Sequence, residues 1–189
     1  FKLKKMPQIS INSLLGNTGP SYSEIIVKPY REELLEAGFT QLLTVEEVDQ
    51  ALDRKDDKIV LVVLNSVCGC SARVGRPGAI LSLFNHSIPD MLVTIFAGME
   101  KEAVAHFREK YLAGVTPSSP NIALFQNGKL VHMLHRYQIE KMEAGEIADE
   151  LINVYNTHCS KEQSNTERER LRQLFLNKYK VDPLHLPTE

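Results

Sequence analysis

Residues 58–70 read KIVLVVLNSVCGC. From Lys58 to Asn65 the run consists mainly of β-branched residues and leucine, with no polar residue on alternate positions. That is the pattern of a strand buried on both faces. The pair Cys68-Gly69-Cys70 follows at once, and the chain holds only three cysteines, the third being Cys159. Two of three cysteines lying two positions apart is poorly explained by chance. Such sparse usage is not the dense, even framework of a secreted disulfide scaffold, and it predicts a reducing, cytoplasmic setting.

Helical pattern resumes after the pair and runs to about Phe84, with Ile80, Leu81 and Phe84 apolar. The thiols therefore fall where a buried strand ends and a helix begins. Free cysteine is mostly protonated near neutrality, and the unpaired amides of a helix N-terminus stabilise the thiolate. Arg73 and Arg76, just downstream, either add positive potential to the thiols or form a solvated helix face. On a regular helix, side chains two positions apart point roughly 200° from each other. A disulfide needs Cβ atoms within about 4.5 Å. At least one of the two cysteines must then lie in the non-helical turn before the helix, where Gly69 supplies backbone freedom. Any ring closed by Cys68 and Cys70 is smaller than that of Cys-x-x-Cys, so it is expected to be strained and readily reduced. That favours exchange or isomerase chemistry over a permanent bond.

Working outward, DMLVTIFA (residues 90–97) is a second buried strand, and Lys101 to Leu112 is amphipathic with Ala103, Val104, Phe107 and Tyr111 on one face. Short strands at Asn121–Phe125 and Leu130–Leu134 flank Asn127-Gly128, a hairpin signal because both turn positions tolerate positive φ. A closing helix is expected over 139–157, carrying Ile147, Leu151, Val154 and Tyr155. Upstream, 22–37 is expected to be helical, with Tyr22, Ile25, Ile26, Leu34 and Leu35 as its stripe and an interruption at Pro29. Thr44-Val45-Glu46-Glu47 has the form of a capping box opening a short helix.

From Lys58 the order is β-α-β-α-β-β-α, which predicts an α/β, thioredoxin-like fold: a four-stranded mixed sheet flanked by helices, with an N-terminal helical segment and a C-terminal helical extension. The domains divide as an arm over 1–21, a thioredoxin-like domain over 22–159 and an extension over 160–189. In that extension Leu171, Leu174, Phe175 and Tyr179 recur at helical spacing. Docking of this stripe on its own domain is preferred to a dimer or partner helix. Pro120, opening the strand before the hairpin after Ser119, stands where such folds carry a cis-proline facing the cysteines.

A formal charge of −2 argues against a nucleic-acid partner. No apolar run approaches the roughly 18 residues needed to cross a membrane. Phe1 to Lys5 is basic but lacks a following apolar segment, so it is not read as a signal peptide, and Met6-Pro7 offers a natural start. Cys159 beside His158 lacks the four local ligands of a zinc site and is read as a semi-buried helix-end thiol.

With these features in place, the sequence resembles the bacilliredoxin family from about Tyr22 to Cys159. The residues that carry the resemblance are Pro29-Tyr30-Arg31-Glu32-Glu33-Leu34 with Ala37-Gly38-Phe39, and Asn65-Ser66-Val67-Cys68-Gly69-Cys70. Arg76-Pro77-Gly78, Phe96-Ala97-Gly98, and Ser118-Ser119-Pro120 followed by Ala123-Leu124-Phe125 complete the set. The resemblance implies removal of bacillithiol, a low-molecular-weight thiol and co-substrate, from S-thiolated proteins, with no bound cofactor or metal. It implies Cys68 as the attacking thiol, and Cys70 as the second thiol unless another small thiol clears Cys68. Gly69, Arg73, Arg76, Ser119 and Pro120 are the expected supporting residues. The arm and the tail depart from the family's usual extent and bear on partner choice and on a homo-oligomer.

Overall fold

The strand β2 (Ile59–Asn65) is buried at every position. Its side chains divide between two cores, because successive residues of a strand face opposite sides. Ile59, Leu61 and Val63 join one cluster, and Val60, Val62 and Leu64 join the other. The computed structural model describes residues 19–185, so the arm read over 1–21 lies outside the described residues up to residue 18.

β4 (Met91–Phe96) pairs parallel with β2, and β5 (Asn121–Gln126) pairs antiparallel on its other side. β6 (Lys129–Leu134) returns antiparallel to β5 through Asn127 and Gly128, whose φ values are 50° and 74°. These are the four expected strands. The sheet has a fifth, β1 (Thr40–Gln41), parallel to β4 at the edge, giving the order β1-β4-β2-β5-β6. Two residues are too few to carry a periodic signal, so the four-strand expectation is corrected to five. A separate two-stranded ribbon joins β3 (Ser87–Ile88) to β7 (Lys161–Glu162) and pins the start of the C-terminal extension.

Helices cover both faces. One core receives Leu34 from α1 (Glu24–Glu36), Ala79 and Ile80 from α3 (Arg76–Ser82), and Ile147, Leu151 and Tyr155 from α6 (Ala144–His158). Leu171 and Phe175 of α7 (Asn165–Tyr179) complete it, so the tail docks on its own domain. The other core holds Val48 and Leu52 of α2 (Val45–Leu52) and Ala103 and Val104 of α4 (Lys101–His106), followed by Phe107 and Tyr111. A mixed central sheet between two helical layers, ending in an antiparallel hairpin, is the thioredoxin-like α/β fold.

One local expectation holds and others change. The Thr44 hydroxyl accepts from the Glu47 amide (3.2 Å) while Glu47 accepts from the Thr44 amide, so the capping box forms. The closing helix is split into α5 (Arg136–Ile139) and α6, the latter capped where the Glu143 amide donates to the Glu146 carboxylate (2.7 Å). α1 runs through Pro29 without breaking. The one helical bond a proline forgoes there is to the carbonyl of Ile25, an exposed residue. Of the expected stripe, Leu34 is buried and Leu35 half-buried, whereas Tyr22, Ile25 and Ile26 are exposed, and α1 also buries Val27, Arg31 and Glu33. The two charged residues are inward because each has a partner: Arg31 meets Glu24 and Glu100, and Glu33 meets Arg76. Counting hydrophobes alone misses the two charged residues of the buried face.

α3 and α6 cross at Gly78, where an added Cβ would lie 2.6 Å from Ile147 Cγ2 and 2.9 Å from the Ala144 carbonyl oxygen. The latter is backbone and cannot swing aside. Gly78→Ala is therefore expected to cost about 1–3 kcal/mol through overpacking. A urea unfolding midpoint equal to that of the parent would show that the helices part without penalty.

Candidate active site

The sheet delivers its functional residues at the C-terminal end of β2. Asn65 ends the strand, Cys68 lies in a bend, and Gly69 and Cys70 open the helical segment. A π-helical turn, Ser71–Gly75, then leads into α3. Cys68 and Cys70 are joined as a disulfide with their Cα atoms 5.5 Å apart. One thiol thus sits before the helix and the other at its first turn (Cys70 φ −65°, ψ −36°), the division that the spacing demands.

The two sulfurs have different surroundings. Cys68 Sγ accepts hydrogen bonds from the Ser66 hydroxyl (3.2 Å) and from the Ser71 backbone amide (3.4 Å). Donors aimed at a sulfur favour its anionic form and so lower the cost of generating a thiolate there. Cys68 also lines a cavity of about 270 Å³, together with Tyr22, Ser66, Ser119, Arg108 and Arg136. Cys70 is absent from that lining.

Ser119 and Pro120 come to the same place from the far side of the sheet. Their peptide bond is cis, and Pro120 is buried. Pro120 stands over the π turn, its Cγ 3.9 Å from where a Cβ on Gly75 would be. The Ser119 carbonyl accepts from Arg136 Nη1 (3.2 Å).

Beneath the dithiol lies a closed polar cluster. Asn65 Oδ1 accepts from the Ser66 amide (2.8 Å), the Ser71 hydroxyl (3.0 Å) and Arg76 Nη1 (3.0 Å), while Asn65 Nδ2 donates to the Tyr30 carbonyl (2.9 Å). Arg76 Nη1 also donates to the Ser66 carbonyl (3.2 Å) and Ser71 Oγ (3.0 Å), and its Nε donates to Glu33 (2.5 Å). Its guanidinium lies over the Tyr30 ring, 4.9 Å from the centroid. The Tyr179 hydroxyl of α7 donates to the other Glu33 oxygen. Burial and the adjacent Glu33 carboxylate raise the Tyr179 phenol well above its ordinary value, so it stays a donor.

These contacts revise the two arginine readings. Arg76 is only 1% exposed and is paired to Glu33, so it is neither a solvated helix face nor a free charge beside the thiols. It is an internal tie that holds the Cys68 turn. Arg73 is exposed, as a solvated face would be. The π turn lies between the cysteines and Arg76, and its extra residue rotates all that follows relative to a regular helix. Cys159 lies at the end of α6, packed against the main core, and burial pushes its thiol up to about 12.

Arg108, Arg136, Ser66 and Tyr22 line the cavity without having been singled out as site residues in the sequence. Two weak signals existed. Arg108 follows buried Val104 by four positions, on the flank of an inward face, and Ser66 lies between the strand and the dithiol. Nothing local to Arg136 or Tyr22 ties either to Cys68.

A family model described as disulphide isomerase matches residues 22–159. A bacilliredoxin of Halalkalibacterium halodurans is 49% identical over 138 residues, covering 73% of this chain and 94% of that protein. A bacilliredoxin of Staphylococcus aureus is 42% identical over 138 residues, covering 73% of this chain and 93% of that protein. Among solved structures, oxidised thioredoxin from Plasmodium falciparum aligns over 62% of this chain and 98% of its own at 17% identity, with a TM-score of 0.41. At that level of likeness, the fold assignment rests on strand order and helix placement.

Proposed function

This chain belongs to the bacilliredoxin family of thiol–disulfide oxidoreductases, and from that premise we propose that it removes bacillithiol from S-bacillithiolated proteins in a reducing cytoplasm. The Cys68 thiolate attacks the bacillithiol sulfur of the mixed disulfide. The Cys68–bacillithiol bond forms, the old disulfide breaks, and the protein substrate leaves as a thiolate. Cys70 then attacks Cys68 Sγ, forming the Cys68–Cys70 disulfide and expelling bacillithiol as its thiolate. An external thiol reductant returns the pair to the dithiol.

The observation that carries the assignment of roles is the asymmetry of the two sulfurs. Only Cys68 both lines the cavity and accepts from Ser66 and Ser71. Cys70 is within bonding reach of it, as resolution requires. Replacing Cys70 by serine removes the resolving step and leaves the first exchange intact. Mass spectrometry of Cys70→Ser after incubation with a bacillithiolated protein should show one bacillithiol added at Cys68. An unmodified Cys68 in that variant, together with an adduct on Cys70 in Cys68→Ser, reverses the roles. Running bacillithiolated and glutathionylated substrates side by side measures the bacillithiol preference itself.

A further inference from the structure

The cavity beside Cys68 has a charge imbalance that the exchange chemistry does not use. Arg108 and Arg136 both line it, and no carboxylate does among the described residues. Arg136 has its own counterion, since its Nε donates to Glu140 (2.5 Å). Arg108 has none: among the described residues its hydrogen bonding is limited to Nη2 donating to the Ser118 carbonyl (3.0 Å). Its Nε is sequestered from solvent without an acceptor among the described residues. Burial lowers its pKa, with no neighbouring anion to offset the cost. The buried arginines nearby are treated differently, Arg31 being paired with Glu24 and Glu100, and Arg76 with Glu33. Holding a half-buried guanidinium without a counterion is unfavourable. An entering anion would relieve it.

The place of this cation constrains the ligand. A small thiol in a mixed disulfide must bring its sulfur to Cys68 Sγ, and the rest of it then occupies the roughly 270 Å³ beside that atom. A guanidinium presents planar paired donors that match a carboxylate. We infer that Arg108, with Arg136 alongside, forms a carboxylate-recognition subsite for the small-thiol half of the mixed disulfide. This rests on the proposed exchange at Cys68 and adds to it the feature by which the small thiol is selected. Arg108 is a binding residue, and it does not handle the reacting electrons.

The test uses two probes that differ chiefly in charge. A single protein thiol is capped either with 3-mercaptopropionate or with its methyl ester, and kcat/KM for release is measured for each. The wild-type chain should favour the carboxylate adduct by about tenfold, the size expected for one hydrogen-bonded charge contact. The preference should shrink as salt is raised. In Arg108→Gln the ratio of the two rates should fall close to one, with the change carried in KM. Arg108→Lys, which keeps the charge but loses the fork, should retain part of the preference. Equal rates for the two adducts in the wild type overturn the subsite while leaving exchange at Cys68 intact, and so does an undiminished ratio in Arg108→Gln. Release of neither adduct removes the exchange reading and the subsite with it. The wild-type comparison needs no variant, so a poorly folding substitution leaves the inference decidable.

Discussion

Replacing Cys68 by serine is expected to lower release of a small thiol from protein mixed disulfides by roughly 10³-fold or more, the scale seen when a nucleophile is removed. A hydroxyl is un-ionised near neutrality and is a poor nucleophile toward sulfur, so the donors from Ser66 and Ser71 have no thiolate to stabilise. Cys70 is a weak substitute because it does not line the cavity. Cys159 offers no fallback, since burial drives its thiol up to about 12 and leaves almost none of it ionised near neutral pH. Loss of the disulfide should barely affect folding, because the ring it closes spans a sequence separation of only two. An unchanged circular dichroism spectrum with activity at background is the expected pair of results. Turnover at a tenth of the parent rate or above means that another residue is the nucleophile.

The second large effect is on stability and originates under the site. Replacing Arg76 by methionine keeps most of the side-chain volume but leaves Glu33 in a nearly closed setting without its cation. Breaking a buried pair from one side costs about 3–5 kcal/mol. For a chain of this length, that corresponds to a Tm lowered by about 6–20 °C. Tyr179 continues to donate to Glu33, which favours the lower end. The same substitution strips Asn65, Ser66 and Ser71 of their shared donor, so exchange at Cys68 should slow even at temperatures where the variant is folded. Adding Glu33→Gln to Arg76→Met removes the stranded charge and should recover part of the lost Tm. A double variant no more stable than Arg76→Met would mean that the loss came from packing and not from the unpaired carboxylate.

Much of the architecture is legible in the linear order of residues because it depends on periodicity. β2 declares itself by burial at every position, β5 and β6 by the Asn127-Gly128 turn, and α2 by the Thr44 and Glu47 reciprocal cap. What escapes such a reading has no local period. The edge strand β1 has two residues and borrows its conformation from β4. The inward face of α1 carries Arg31 and Glu33, whose burial is acceptable only because partners arrive from elsewhere in the chain.

The dithiol follows the same division. Its position after a buried strand and the need for one thiol outside the helix follow from residue order and from stereochemistry that operates over a few residues, and the proline opposite follows from where thioredoxin-like folds carry one. Which cysteine lines the cavity, which arginine is internal and which is left without a counterion among the described residues are different kinds of fact. Arg76 and Glu33 are 43 positions apart, and Cys68 shares its cavity with Arg108, Ser119 and Arg136 only because the end of β2, the segment after α4, the Pro120 loop and α5 converge. Electrostatic pairing depends on distance in space and on burial. Neither can be counted along a chain until the sheet has brought its loops together.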